Sequence, residues 1–117
     1  MNNTEAHQQL VDDVLFAVGA LPHARCWPQI NGLFRPLYRE GKVKVGVNGM
    51  ADVGGIFITL GHRDEPYGRR LEIECKTGGG KLSKDQEKYK AMIEKFHGIY
   101  IQARSVEQVL TELDGYR

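Results

Sequence analysis

The sequence predicts an α/β domain in which a mixed β-sheet is flanked by helices. Three observations carry this. Leu10, Val11, Val14, Leu15 and Val18 fall on one face of a helical wheel. Residues 42–47 and 69–76 alternate between apolar and polar side chains, the period of half-buried strands, with turn residues between them. A strand, a helix and another strand then follow, an order that calls for a parallel, right-handed crossover.

At 117 residues the chain suits one domain spanning 1–117. Such a small core leaves a thin stability margin, and a homodimer would supplement it. Charged residues make up 26% and apolar ones 41%, which excludes a disordered chain. No apolar run approaches the ~20 residues of a membrane span, and the start M-N-N-T-E-A-H lacks the features of a signal peptide. The expectation is a cytoplasmic protein that does not engage membranes. Cys26 and Cys75 are then expected to be reduced, buried thiols, and no Cys/His cluster has zinc spacing.

Taken in order, Thr4 caps a first helix starting near Glu5, and Gly19 and Pro22 end it. His7 lies on its apolar face, one turn before Leu10 and Val11, while Glu5 falls on the polar side. Ala24 to Trp27 is a short strand stopped by Pro28. Asn31-Gly32 is a turn signal. Leu33 to Tyr38, interrupted by Pro36, is an edge strand at most. Arg39-Glu40-Gly41-Lys42 turns the chain into a half-exposed strand over Lys42 to Val47, valines on one side and lysines outward. The strand Ile56 to Leu60 follows Asp52 and the pair Gly54-Gly55, which permits a bulge or a close backbone approach. Gly61 to Gly68 is a polar hairpin loop leading to the strand Arg69 to Lys76. After the Gly-rich segment Thr77 to Lys81, Ser83 and Gln86 form a capping box. The helix runs from Lys84 to His97 with Tyr89, Met92, Ile93 and Phe96 on its buried face, and Gly98 stops it. Ile99 to Ala103 is a strand, and Ser105 caps a last helix bearing Val106, Val109, Leu110 and Leu113.

The strand R-R-L-E-I-E-C-K carries the chemistry. Leu71, Ile73 and Cys75 face one way and Arg70, Glu72, Glu74 and Lys76 the other. Burying two carboxylates and an ammonium requires partners. A divalent cation is such a partner, with Asp52 as a further ligand and the Cys75 backbone carbonyl between them. Lys76 returns to the Glu74 face, where it can orient water or stabilise charge. Glu72 is accounted for by a pair with Arg70. Gln86 either serves its capping box or reaches back to the end of the strand, and the two roles are compatible. His7 is either a hydrogen-bonded core histidine or a further ligand, with Glu5 as the alternative. Gly79-Gly80-Lys81 is followed by Leu82 and not by Ser or Thr, so this segment is no phosphate-binding P-loop. Net charge is +1, yet Arg35, Arg39, Lys42 and Lys44 cluster, as do Lys81, Lys84, Lys88, Lys90 and Lys95. Either group is a solvated face or a contact for phosphates.

Three segments together, G-V-N-G-M-A-D-V-G-G-I-F, L-E-I-E-C-K-T-G-G-G-K-L-S-K-D-Q and G-I-Y-I-Q-A-R-S-V-E-Q-V, resemble the VRR-NUC domain of the PD-(D/E)xK nuclease superfamily. The resemblance covers about Ala24 to Leu113 and is to the stand-alone phage and bacterial type. It implies a restriction-endonuclease-like core in αβββαβα order, magnesium or manganese, and a homodimeric endonuclease cutting branched, flapped or junction DNA in a bacterial or phage-infected cell. It implies Asp52 and Glu74 as metal ligands, Lys76 as catalytic lysine and Gln86 as the motif glutamine. Asn31, Arg35, Lys44, Lys81, Ser83 and Lys84 are the expected DNA contacts, and Trp27 lies in a stretch similar to one facing DNA. The family's first-helix glutamate is replaced by His7, or supplied by Glu5 from another face. Ala51 stands where the superfamily motif has Pro. The alternative reading is a non-catalytic DNA-binding accessory protein with the same fold.

Overall fold

The computed structural model describes residues 2–117. The chain runs α1 (Asn3–Gly19), β1 (Ala24–Pro28), β2 (Gly32–Phe34), β3 (Val43–Val45), β4 (Val53–Leu60), β5 (Pro66–Cys75), α2 (Lys84–Lys95), β6 (Ile99–Ala103) and α3 (Val106–Asp114). Four strands form the main sheet in the order β1-β4-β5-β6, and β2 and β3 form a separate two-stranded ribbon. β4 pairs antiparallel with β1 and β5, whereas β6 pairs parallel with β5. The sheet is therefore mixed, as expected, and α2 is the crossover between its parallel pair. Counting main-sheet strands alone, the order is helix, three strands, helix, strand, helix.

The two faces of β5 separate its chemistry. Leu71, Ile73 and Cys75 are sealed in the main core with Val53 and Phe57 of β4, Ile99 and Ile101 of β6, and the apolar faces of α1 and α3. Val11, Val14 and Val18 are the fully buried part of the α1 stripe. On the other face, Tyr89 and Ile93 of α2 pack with Ala51 and Tyr100 in a smaller cluster. Glu72 and Glu74 lie on this second side and are buried there.

Several boundaries differ from expectation. Asn2, not Thr4, caps α1, its side chain accepting from the Glu5 N–H at 2.8 Å; asparagine is the stronger cap of the two. Pro28 closes β1 and does not precede its end, because an edge strand needs no N–H on its open side. β4 starts at Val53 and β5 at Pro66, so pairing extends further into both glycine-rich flanks; Gly54 and Gly55 sit inside the ladder, opposite Glu72 and Leu71. Lys76 stands one residue past the strand. The expected strands Leu33–Tyr38 and Lys42–Val47 shorten to β2 and β3, which pair only with each other; Val45 and Val47 are exposed. Valine alternation here describes a ribbon with no core beneath it. α2 ends at Lys95, and Met92 and Phe96 are exposed, not buried. The helix covers only the β5–β6 side of its face, so Tyr89 and Ile93, one turn apart, suffice to bury its contact. Cys26 is half-buried and Cys75 buried, both as free thiols.

The Gly54-Gly55 pair permits close approach without a bulge. A Cβ on Gly55 would lie 2.3 Å from the Arg25 carbonyl oxygen, and one on Gly54 would lie 2.5 Å from the Gln29 side-chain oxygen. Gly55→Ala is expected to wedge β1 from β4 and cost about 1–3 kcal/mol, read as a lower urea midpoint. Among the described residues, no helix is long and apolar enough to cross a membrane.

Candidate metal centre

The antiparallel register pairs Val53 with Ile73. One step further along it, Asp52 comes opposite Glu74, where the start of β4 meets the end of β5. Asp52 is fixed through both backbone and side chain. Its carbonyl oxygen accepts from the Gln29 N–H at 2.9 Å, and its Oδ2 accepts from the Cys75 N–H at 2.9 Å. Cys75, whose carbonyl oxygen is the expected ligand, also fixes the Asp52 carboxylate through its N–H. The Cys75 thiol lies on the core side, and burial, helped by the charges of Asp52 and Glu74, pushes it up to about 12. It stays protonated and is no thiolate ligand.

His7 arrives from the first turns of α1. Its Nε2 is 3.1 Å from Asp52 Oδ2. The imidazole donates to the carboxylate when Nε2 carries the proton, and presents a lone pair beside it when Nδ1 does. Glu5 is not brought to the site; it is exposed and accepts from the Asn2 side chain. Of the two alternatives, the fold brings His7 and not Glu5 beside Asp52.

Glu74 is 3% exposed. Its Oε2 accepts from Gln86 Nε2 at 3.2 Å and lies 3.4 Å from Lys76 Nζ. Gln86 serves both roles open to it. Its Oε1 accepts from the Ser83 N–H, completing the capping box, and from Lys76 Nζ, each at 2.9 Å. Burial pushes the Glu74 carboxyl up to about 7; the Asp52 charge adds to this and Lys76 opposes it. At Glu74, Lys76 thus does not fully offset burial and the neighbouring Asp52 charge.

His7, Asp52 and Glu74 form a group that could hold a metal ion, each offering one ligand atom within 4.8 Å of the others. That spacing fits a single cation bound at a little over 2 Å per ligand. The donor set of two carboxylates and one imidazole suits hard to borderline divalent ions.

Glu72 is separate from this centre. It is fully buried and accepts from Gln29 Nε2 and Tyr89 O–H, both at 2.8 Å, and from Arg70 Nε. Arg70 in turn lies over the Trp27 ring. Every strong donor on Glu72 is a protein group, so it acts as a structural anion. Four residues support this region through contacts that were not read from the sequence. Gln29 ties Asp52, Ala51 and Glu72 together. Tyr89 caps Glu72. Tyr100 buries an unpartnered hydroxyl on the same side. Arg104 donates to the Gly78 and Gly80 carbonyls at 3.1 and 2.6 Å, pinning the glycine segment that leads to Gln86. Of the expected DNA contacts, Arg35, Lys81 and Lys84 are exposed, Ser83 is the α2 cap, and Lys44 donates to Asn31 Oδ1 at 2.7 Å.

His7→Ala is expected to weaken divalent-metal binding about 10- to 100-fold in calorimetry. His7→Glu supplies a third oxygen ligand and shifts preference toward magnesium over manganese. Equal affinities in all three proteins would remove His7 from the centre.

No family model, curated protein or solved structure matches this chain. The functional reading rests on the residues and their geometry.

Proposed function

We propose that the protein is a metal-dependent DNA endonuclease of the VRR-NUC type, with a restriction-endonuclease-like core and a site built from Asp52, Glu74, Lys76 and Gln86 with His7. The observation that carries this reading is the convergence of His7, Asp52 and Glu74 with a lysine held by a glutamine at the same carboxylate. Magnesium or manganese, when bound, neutralises phosphate charge and acidifies a water for attack on phosphorus. The protein groups do the rest. Asp52 and Glu74 provide the acidic cradle, held in place by the Cys75 N–H and the Gln86 amide. Lys76 presents an ammonium beside Glu74, aimed to stabilise the charge that accumulates on the phosphoryl oxygens. Gln86 acts through Lys76, as a positioning residue. Preference for branched, flapped or junction DNA and action as a homodimer are part of the same proposal.

The test is incubation of the purified protein with flapped, four-way and plain duplex DNA, with magnesium, manganese or chelator. Metal-dependent products that vanish with Asp52→Ala are expected. If Asp52→Ala cleaves like the wild type, the site is not the one that cuts; if neither metal yields products while the protein binds DNA in a salt-dependent way, the nuclease reading gives way to a DNA-binding accessory role.

A further inference from the structure

The β2–β3 ribbon and its tip, residues 30–48, stand apart from the domain. The chain's radius of gyration is 15.5 Å and its longest dimension 53 Å. A compact chain of this length would have a radius near 13.4 Å by the usual scaling, roughly. The ribbon shares no ladder with the main sheet, and its apolar side chains face solvent. Leu37 and Tyr38 at the tip are fully or largely exposed, and Leu33 and Phe34 are exposed beside them. The tip curls around an open concavity of about 930 Å³ lined by Arg35, Leu37, Tyr38 and Arg39 among others.

The root of this arm is anchored at the metal centre. Gln29, just before it, holds the Asp52 backbone. Gly49, just after it, has φ +79°, and a Cβ there would lie 2.2 Å from the Asp85 carbonyl oxygen, in the first turn of α2 beside Gln86. A ligand held by the arm is therefore connected to the catalytic strand and to the Gln86 turn by short, tightly seated segments.

Charge selects the ligand. Arg35, Arg39, Lys42 and Lys44 are four of the chain's sixteen basic residues, yet Glu40 is the arm's single acidic one out of fifteen. A second copy of the same arm would bring like charges together, whereas a phosphate backbone complements them. Exposed aromatic and aliphatic side chains among cations are what unstacked bases require, since any base offers a face for stacking.

We propose that the 30–48 arm binds unpaired nucleotides at a strand discontinuity, stacking bases on Tyr38 and Leu37 while Arg35 and Arg39 hold the flanking phosphates. What is then delivered to the metal centre rests on the nuclease reading; the binding itself does not.

The experiment is fluorescence anisotropy of the full chain on labelled flapped DNA and on plain duplex of equal length, in chelator so that no turnover occurs. L37A/Y38A is expected to weaken flap binding about five- to a hundredfold and leave duplex binding unchanged, and Tyr38→Phe in the Leu37-intact chain retains it. R35A/R39A is expected to weaken both and to reduce the salt slope by about two. These residues are exposed, so the variants fold, which circular dichroism checks. Equal effects of L37A/Y38A on flap and duplex, or none, overturn the proposal. So does sedimentation showing that L37A/Y38A turns a dimer into a monomer with flap affinity unchanged, since the arm would then be a self-association surface. Flap binding lost in L37A/Y38A from a protein that never cleaves would leave the arm standing and remove the nuclease reading; cleavage by a protein whose flap binding ignores the arm would do the reverse.

Discussion

Lys76→Ala is expected to lower metal-dependent cleavage by about 10²- to 10⁴-fold while leaving metal binding in place. The side chain's Nζ is 2.9 Å from Gln86 Oε1 and 3.4 Å from Glu74 Oε2. It is the one ammonium at a centre otherwise made of two carboxylates and an imidazole, so no neighbour replaces its charge. Its removal also withdraws a positive charge that lowers the Glu74 pKa. The Glu74 carboxyl then protonates more readily near neutral pH. Assays over a rising pH series separate the two effects, because the protonation effect fades as pH rises and the loss of the ammonium does not. Gln86→Ala is the matched comparison. It frees the lysine without discharging it and removes half of the capping box, at about 1 kcal/mol of stability. A smaller loss of rate than for Lys76→Ala is expected. Cleavage by Lys76→Ala within threefold of wild type at pH 8.5 would remove the lysine from the chemistry.

What could be read from the sequence divides along a physical line. Strand alternation is a local property, and it separated Leu71, Ile73 and Cys75 from Glu72, Glu74 and Lys76 before any tertiary contact was known. The Ser83–Gln86 capping box is equally local, and so is the close approach that Gly54-Gly55 permits. His7 was legible as a polar residue on an apolar face; its partner Asp52, 45 residues away, was not assured. Long-range polar partners carry no periodic signature. Gln29 and Arg104 are ordinary residues in sequence, and only the fold brings one to the Asp52 backbone and the other to the glycine carbonyls. Periodicity also overstates burial. Met92 and Phe96 fit the α2 stripe, and Val45 and Val47 fit a strand, but each faces solvent because no element covers it. A pattern states which side chains share a face and not whether that face has a partner.

Glu74→Gln is expected to stabilise the metal-free protein at pH 8 and to abolish its response to magnesium. The Glu74 carboxyl is pushed up from 4.5 to about 7, chiefly by burial and secondarily by Asp52. Between those values the folded state binds more protons than the unfolded state, so stability falls as pH rises from 4.5 to 7 and is flat above. The loss attributable to this one group is roughly 3 kcal/mol, the order of magnitude set by 1.36 kcal/mol per pKa unit. The amide replaces the carboxylate with no charge to bury, and its oxygen still accepts from Gln86 and Lys76. The difference in melting temperature between Glu74→Gln and wild type should therefore grow between pH 5 and pH 8, by about 10 °C or more. Magnesium acts in the opposite sense. Bound at the folded wild-type centre alone, it is expected to raise the melting temperature at pH 8 by mass action, while the amide variant, short of one anionic ligand, stays where it was. Both expectations have one origin, a buried Glu74 carboxylate beside Asp52 with a single lysine at its side. A wild-type melting temperature indifferent to magnesium, with no divergence from Glu74→Gln across that pH range, would mean that these carboxylates are satisfied by Lys76, Gln86 and His7 alone.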